Sequence, residues 1–164
     1  MKYLILIRHA KSSWDINGQS DFARPLNERG LKDAPAMALR LLKKNISIDA
    51  FVSSPANRAI TTATLFAKTF GVKEKNIIQV PGLYHANVET FFTVIHSMHD
   101  DFKTVAIFSH NPGITYFANE LTVAQIDHMP TCGVFAVKIK INEWKNFEAA
   151  EKEFWFFDYP KSGL

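Results

Sequence analysis

The stretch Tyr3-Leu4-Ile5-Leu6-Ile7-Arg8-His9 decides how this chain folds. Its continuous apolar run reads as a central strand buried on both faces. It then stops at a guanidinium and an imidazole. The same shape recurs at Val52-Ser53-Ser54-Pro55 and at Phe108-Ser109-His110-Asn111-Pro112. In each, an apolar strand passes through one to three polar residues to a helix start. Ser54 and Asn111 are expected as helix N-caps, each with proline at the first helical position. In a parallel α/β sheet such strand ends lie along one edge, where ligands bind. Arg8, His9, His110 and the helix from Pro55, with Arg58 in its first turn, are therefore expected to converge.

Outward from these junctions, short apolar runs alternate with helical patterns. Leu31, Ala34, Ala38, Leu41 and Leu42 predict a helix over residues 31–44, with Pro35 near its first turn. A strand at 49–53 leads to a helix over about 55–70. Residues 77–80 read as a third strand, 87–98 as a helix, 104–108 as a strand and 112–121 as a helix. Residues 134–141 alternate cleanly, and 153–159 are expected to pair with them antiparallel. Residues 11–29 are polar and loop-like, with Asn17-Gly18 as a turn signal and Arg24-Pro25 as a break. This order predicts a three-layer α/β/α sandwich with a mostly parallel central sheet and an antiparallel edge. A chain of 164 residues without repeats or linkers is expected to form a single domain, 1–164.

Composition narrows the function. With 47% hydrophobic and 21% charged residues, the chain has the makings of a globular core. One cysteine, Cys132, excludes an internal disulfide framework and any multi-cysteine metal site. A net charge of +3, without a basic cluster, argues against nucleic-acid or membrane partners. No targeting or membrane-spanning segment is visible, so a soluble cytoplasmic protein is expected.

The converging residues would form a cationic cup. Arginine offers a planar charged fork suited to phosphate oxygens, and helix N-termini add N–H donors. A neutral imidazole there could attack phosphorus, giving a phosphohistidine that water hydrolyses. Neighbouring cations would lower its pKa and keep the lone pair free. Taken singly, each residue has a plainer reading: a capped corner for Arg8-His9, a solvated helix residue for Arg58, a helix cap for His110.

Together these motifs resemble the histidine phosphatase (phosphoglycerate mutase-like) superfamily. Leu6-Ile7-Arg8-His9-Ala10-Lys11 resembles its N-terminal signature, residues 53–63 its second, and Ser109-His110-Asn111-Pro112 its third. Arg24-Pro25-Leu26 with Gly30 is similar to the connecting segment of the SixA-type phosphohistidine phosphatases. The resemblance implies a metal-independent hydrolase of phosphoglycerate mutase-like fold, without cofactor. It also implies His9 as nucleophile and Arg8, Arg58 and His110 as the phosphate pocket; Arg24 is expected to border that pocket.

Two departures matter. Alanine at position 10 replaces the glycine of many Arg-His-Gly triplets. Where phosphoglycerate mutase-like members place a glutamate soon after a leucine, this chain has the similar stretch Pro81-Gly82-Leu83-Tyr84-His85, and no carboxylate until Glu89. His85 and Glu89 are the candidate general acids. An alkoxide leaving group needs a proton, and a positioned acid is worth about 10²–10⁴ in rate. The imidazole of phosphohistidine leaves more readily. The expected substrate is accordingly phosphohistidine on a protein. Alternatives are small phosphomonoesters or sugar phosphates, and a non-catalytic phosphohistidine-binding module.

Other signals carry less. His96 and His99 have helical i, i+3 spacing but no acidic or cysteine partner, so they read as surface histidines and no metal is expected. Thr131-Cys132-Gly133 lacks the arginine of a cysteine-phosphatase loop, and Cys132 is expected to pack beside a strand. No glycine-rich nucleotide motif occurs. Phe154, Trp155, Phe156, Phe157 and Tyr159 read as core and edge packing, and Trp14 as a pocket-mouth residue or a packing anchor.

Overall fold

A computed structural model describes residues 1–14 and 16–162. Its strands are β1 (Lys2–Arg8), β2 (Ala50–Ser53), β3 (Ile78–Gln79), β4 (Thr104–Ser109), β5 (Val134–Ile139) and β6 (Lys152–Asp158). The helices are α1 (Glu28–Lys43), α2 (Asn57–Thr69), α3 (Val88–His96) and α4 (Gly113–Leu121). The sheet order is β3-β2-β4-β1-β5-β6. The β1–β4, β2–β4 and β2–β3 pairs are parallel, while β5 runs antiparallel to both β1 and β6. The mostly parallel sheet with an antiparallel edge is thus as the sequence predicts.

Alternation along β1 makes the three layers. Leu4 and Leu6 face a core shared with Phe91 and Ile95 of α3 and Phe117 of α4. Ile5 and Ile7 face the other core, with Met37 and Leu41 of α1 and Phe66 of α2. These side chains are fully buried, each stabilising the fold by roughly 1.5–3 kcal/mol relative to exposure. The aromatic run on β6 packs as expected: Phe157 against the first core, Trp155 and Phe156 against the second, with Phe154 the most exposed. No helix among the described residues is long and apolar enough to cross a membrane.

Several local expectations change. Asn27 caps α1, its side chain accepting from Gly30 N–H, so the helix begins before residue 31. Pro35 consequently lies inside the helix, where it deprives the Leu31 carbonyl of its usual donor. Leu31 is half-exposed, which lets water take that role. Neither Ser54 nor Asn111 caps a helix: Ala56 and Pro112 hold those positions without side-chain bonds. The peptide bond preceding Pro112 is cis. The third strand is a two-residue exposed edge. The helix carrying His96 stops there, capped by Ser97, so His96 and His99 do not share a helix face.

Candidate active site

Parallel pairing builds the site. Arg8 stands opposite Ser109, and Ser53 opposite Phe108, so the next residues of three strands emerge at one sheet edge. His9 N–H donates to the Ser109 carbonyl at 3.1 Å, and Ser54 N–H to that of Phe108 at 3.0 Å. Cys132, buried beside β5, donates its N–H to the His9 carbonyl at 3.0 Å. Burial raises the Cys132 thiol pKa, leaving the thiol protonated. The cleft at this edge measures about 310 Å³ and is lined chiefly by Arg8, His9, Asp21, Arg24, Arg58 and His110.

His9 is only 6% exposed, and its ring centroid lies 5.1 Å from that of His110. Its Nδ1 is 2.7 Å from the Ala10 carbonyl oxygen. A carbonyl can only accept, so Nδ1 carries the proton and Nε2 keeps its lone pair. The Ala10 peptide is itself held, its N–H donating to Thr62 Oγ1 of α2 at 3.0 Å. Burial, with lesser repulsion from His110, Arg8 and Arg58, lowers the His9 pKa to about 3. Burial and Arg58 do the same for His110, also to about 3. Both rings are neutral near pH 7.

His110 Nε2 lies 2.8 Å from Ser54 Oγ, and Ser54 Oγ accepts the Ala56 N–H at 3.2 Å. The serine proton is then free to go to Nε2, which leaves the hydrogen of neutral His110 on Nδ1. That Nδ1 is buried and unpartnered. So are Arg8 Nε and Arg58 Nε. Each guanidinium is anchored through an outer nitrogen: Arg8 Nη1 donates to the Met129 carbonyl at 2.9 Å, and Arg58 Nη1 to that of Asp21 at 2.7 Å. Leaving a buried donor unpaired costs roughly 1–3 kcal/mol, a cost an incoming anion can offset. Such orphaned donors, together on one cleft, suit the oxygens of a phosphoryl group.

Of the remaining residues singled out by sequence, Arg24 stands at the mouth. It donates through Nε to the Ser13 carbonyl at 3.1 Å, through Nη1 to Asp21 Oδ1 at 2.9 Å and through Nη2 to Ser12 Oγ, and it stacks on the exposed ring of Trp14. His85 stacks on Tyr84, with ring centroids 4.0 Å apart. It lines an adjoining cavity of about 280 Å³ that shares His110 but not His9. Glu89 lies in the first turn of α3 and lines a separate cavity with His96 and Glu120.

Among the described residues, the carboxylate that does reach the cleft is Asp21, which sequence reasoning passed over. Its Oδ2 accepts from Arg58 Nη2 at 3.0 Å and from Tyr84 Oη at 2.5 Å, and its Oδ1 from Arg24. The Tyr84 hydrogen bond, seconded by the two arginines, holds the Asp21 pKa well below the usual carboxylate range. The signal was Asp21-x-x-Arg24, an acid three residues before the arginine already singled out.

Two glycines fix the frame. A Cβ at Gly30 would collide with the Lys11 carbonyl, two residues past His9. One at Gly113 would collide with the Ala86 carbonyl, where α4 starts beside the Tyr84-His85 turn.

Comparison with known proteins agrees with this frame. The chain is 30% identical over 150 residues to an uncharacterised chloroplastic protein of Arabidopsis thaliana, covering 87% of this chain and 68% of that one. It is 39% identical over 87 residues to a metal-independent phosphoserine phosphatase of the same plant, covering 52% of this chain and 35% of that protein. Among solved structures, the protein histidine phosphatase SixA complexed with tungstate superposes with a TM-score of 0.83 over 99% of both chains, at 20% identity. A mycobacterial glucosyl-3-phosphoglycerate phosphatase gives 0.69 over 94% of this chain and 97% of that one, at 15% identity. Residues 4–91 match the family model of the histidine phosphatase superfamily (branch 1), and the chain belongs to that superfamily.

Proposed function

We propose that the protein is a phosphatase for phosphohistidine carried on a protein, acting through a phosphohistidine formed on its own His9. The observation that carries this is the fixed tautomer: Ala10 holds the Nδ1 proton, so Nε2 offers a lone pair inside a cationic cleft. His9 Nε2 attacks phosphorus in line. Arg8 Nε, Arg58 Nε and His110 Nδ1, unpartnered in the free enzyme, take the three outer oxygens. These donors are satisfied as charge builds, with little reorganisation at the moment of reaction. The leaving imidazole departs with the electron pair of its P–N bond, and water then cleaves the phosphoenzyme.

The choice of substrate rests on the leaving group. Glu89 lines another cavity, and the carboxylate at the mouth, Asp21, is held ionised by Tyr84 and the two arginines. A leaving group that needs no proton from the enzyme fits such a cleft. The segment shared with the phosphoserine phosphatase favours a second reading, hydrolysis of small phosphomonoesters.

The test offers the enzyme a histidine-phosphorylated peptide and, separately, phosphoserine and p-nitrophenyl phosphate, with early quenching. Acid-labile phosphoenzyme is expected in the wild type and absent in His9→Ala. Label that survives this substitution would sink His9 as nucleophile. Faster turnover of phosphoserine than of the peptide would favour the monoester reading, and retention without turnover a binding module.

A further inference from the structure

Asp21 is an oddity in a cleft built for a dianion. Among the described residues that line the cleft it is the one carboxylate, set against Arg8, Lys11, Arg24 and Arg58. It does orient Arg58, yet its side chain is 46% exposed, unlike the nearly buried guanidinium it holds. Oδ2 takes two donors, Tyr84 Oη and Arg58 Nη2, whereas among the described residues Oδ1 takes only Arg24 Nη1. A carboxylate oxygen has two lone pairs in its plane, so Oδ1 keeps an acceptor position at the cleft mouth.

We infer that Asp21 is a specificity-determining residue: it accepts a hydrogen bond from the ring N–H of a phosphohistidine substrate, on the nitrogen that does not bear phosphorus. This rests on the phosphohistidine reading of the site and goes beyond it by naming what recognises the leaving group. The remote nitrogen of a phosphorylated imidazole points away from phosphorus, toward the mouth. An anionic acceptor there holds its proton in place. When His9 Nε2 forms its bond to phosphorus, the P–N bond of the substrate breaks and its pair returns to the ring nitrogen. The ring leaves as neutral imidazole, still carrying the remote N–H, so no proton moves from the enzyme. The same charge disfavours leaving groups that depart as anions. Asp21 is fit for this because its ring of donors, Tyr84, Arg24 and Arg58, keeps it ionised. His110, which faces the same carboxylate, stays neutral and does not compensate its charge.

The experiment compares Asp21→Asn with wild type on a phosphohistidine peptide and on p-nitrophenyl phosphate, whose phenolate leaves without a proton. The ratio of kcat/KM for the peptide to that for the ester is expected to fall at least tenfold. Tyr84→Phe, which keeps the carboxylate and removes one of its donors, is expected to shift that ratio far less. Equal losses on both substrates in Asp21→Asn would mean that Asp21 only positions Arg58, and would overturn its role in recognition. A wild type inert towards the peptide but active on the ester would instead overturn the phosphohistidine reading itself.

Discussion

Two neutral histidines buried side by side should make this protein measurably acid-sensitive well above the range where carboxylates titrate. His9 and His110 both have pKa values lowered to about 3 by burial, against 6.5 for the free side chain. Between these values the unfolded chain binds protons that the folded chain refuses, so stability falls as pH falls. Because pH 5 lies well above the folded value, the loss down to that point is set by the unfolded histidine. Lowering the pH from 7 to 5 costs about 2 kcal/mol for each ring, or about 4 kcal/mol for the two. That is a large share of an ordinary domain's stability, about 5–15 kcal/mol. The assay is urea unfolding at pH 7, 6 and 5 in phosphate-free buffer, on wild type, His9→Gln, His110→Gln and the double variant. Each single substitution should remove about 2 kcal/mol of the pH dependence, and the double variant about 4. A double variant whose stability falls with pH as steeply as the wild type would refute the assignment of neutral, desolvated rings.

Removing the Arg58 guanidinium takes away one of the proposed phosphoryl contacts and the grip on Asp21. Arg58→Ala should lower kcat about 10²–10³-fold, roughly 2.7–4 kcal/mol of barrier, and steady-state kinetics showing less than a tenfold loss would count against a phosphoryl contact. Gly30→Ala forces a methyl against the Lys11 carbonyl. It should destabilise by about 1–3 kcal/mol, and an unchanged thermal midpoint would show that α1 does not need that close approach.

What the sequence revealed and what it hid follow one physical divide. Strand ends were legible because each is a short apolar run broken by polar residues, a signal local to a few positions. That sufficed to bring Arg8, His9, Arg58 and His110 to one edge. Capping was misread because the oxygens that would cap are engaged otherwise: Ser54 Oγ accepts from Ala56 N–H ahead of the helix and contacts His110, and Asn111 Oδ1 accepts from Thr115 Oγ1 at 2.6 Å. Pro35 falls inside α1 because the Asn27 cap lies four residues ahead of Leu31, the first apolar position of the helical pattern. Asp21 was hidden for another reason. Its partners Arg58 and Tyr84 lie 37 and 63 residues away, and its own segment carries no periodicity to announce it. The fate of Glu89 likewise depended on which way α3 faced.

The place of β1 in the sheet also governs how the molecule comes into being. This strand is synthesised before its partners, yet Tyr3 must pair with Thr104 and Lys2 with Ile139. A nascent chain that has not yet reached β4 holds an apolar ribbon with both edges open, a template for pairing with the wrong chain. Contacts so distant in sequence slow folding and leave such a ribbon exposed to aggregation meanwhile. Activity and foldedness therefore arrive together. No fragment ending before residue 104 can hydrolyse anything through this cleft, since His110 and both neighbours of β1 are still to be made.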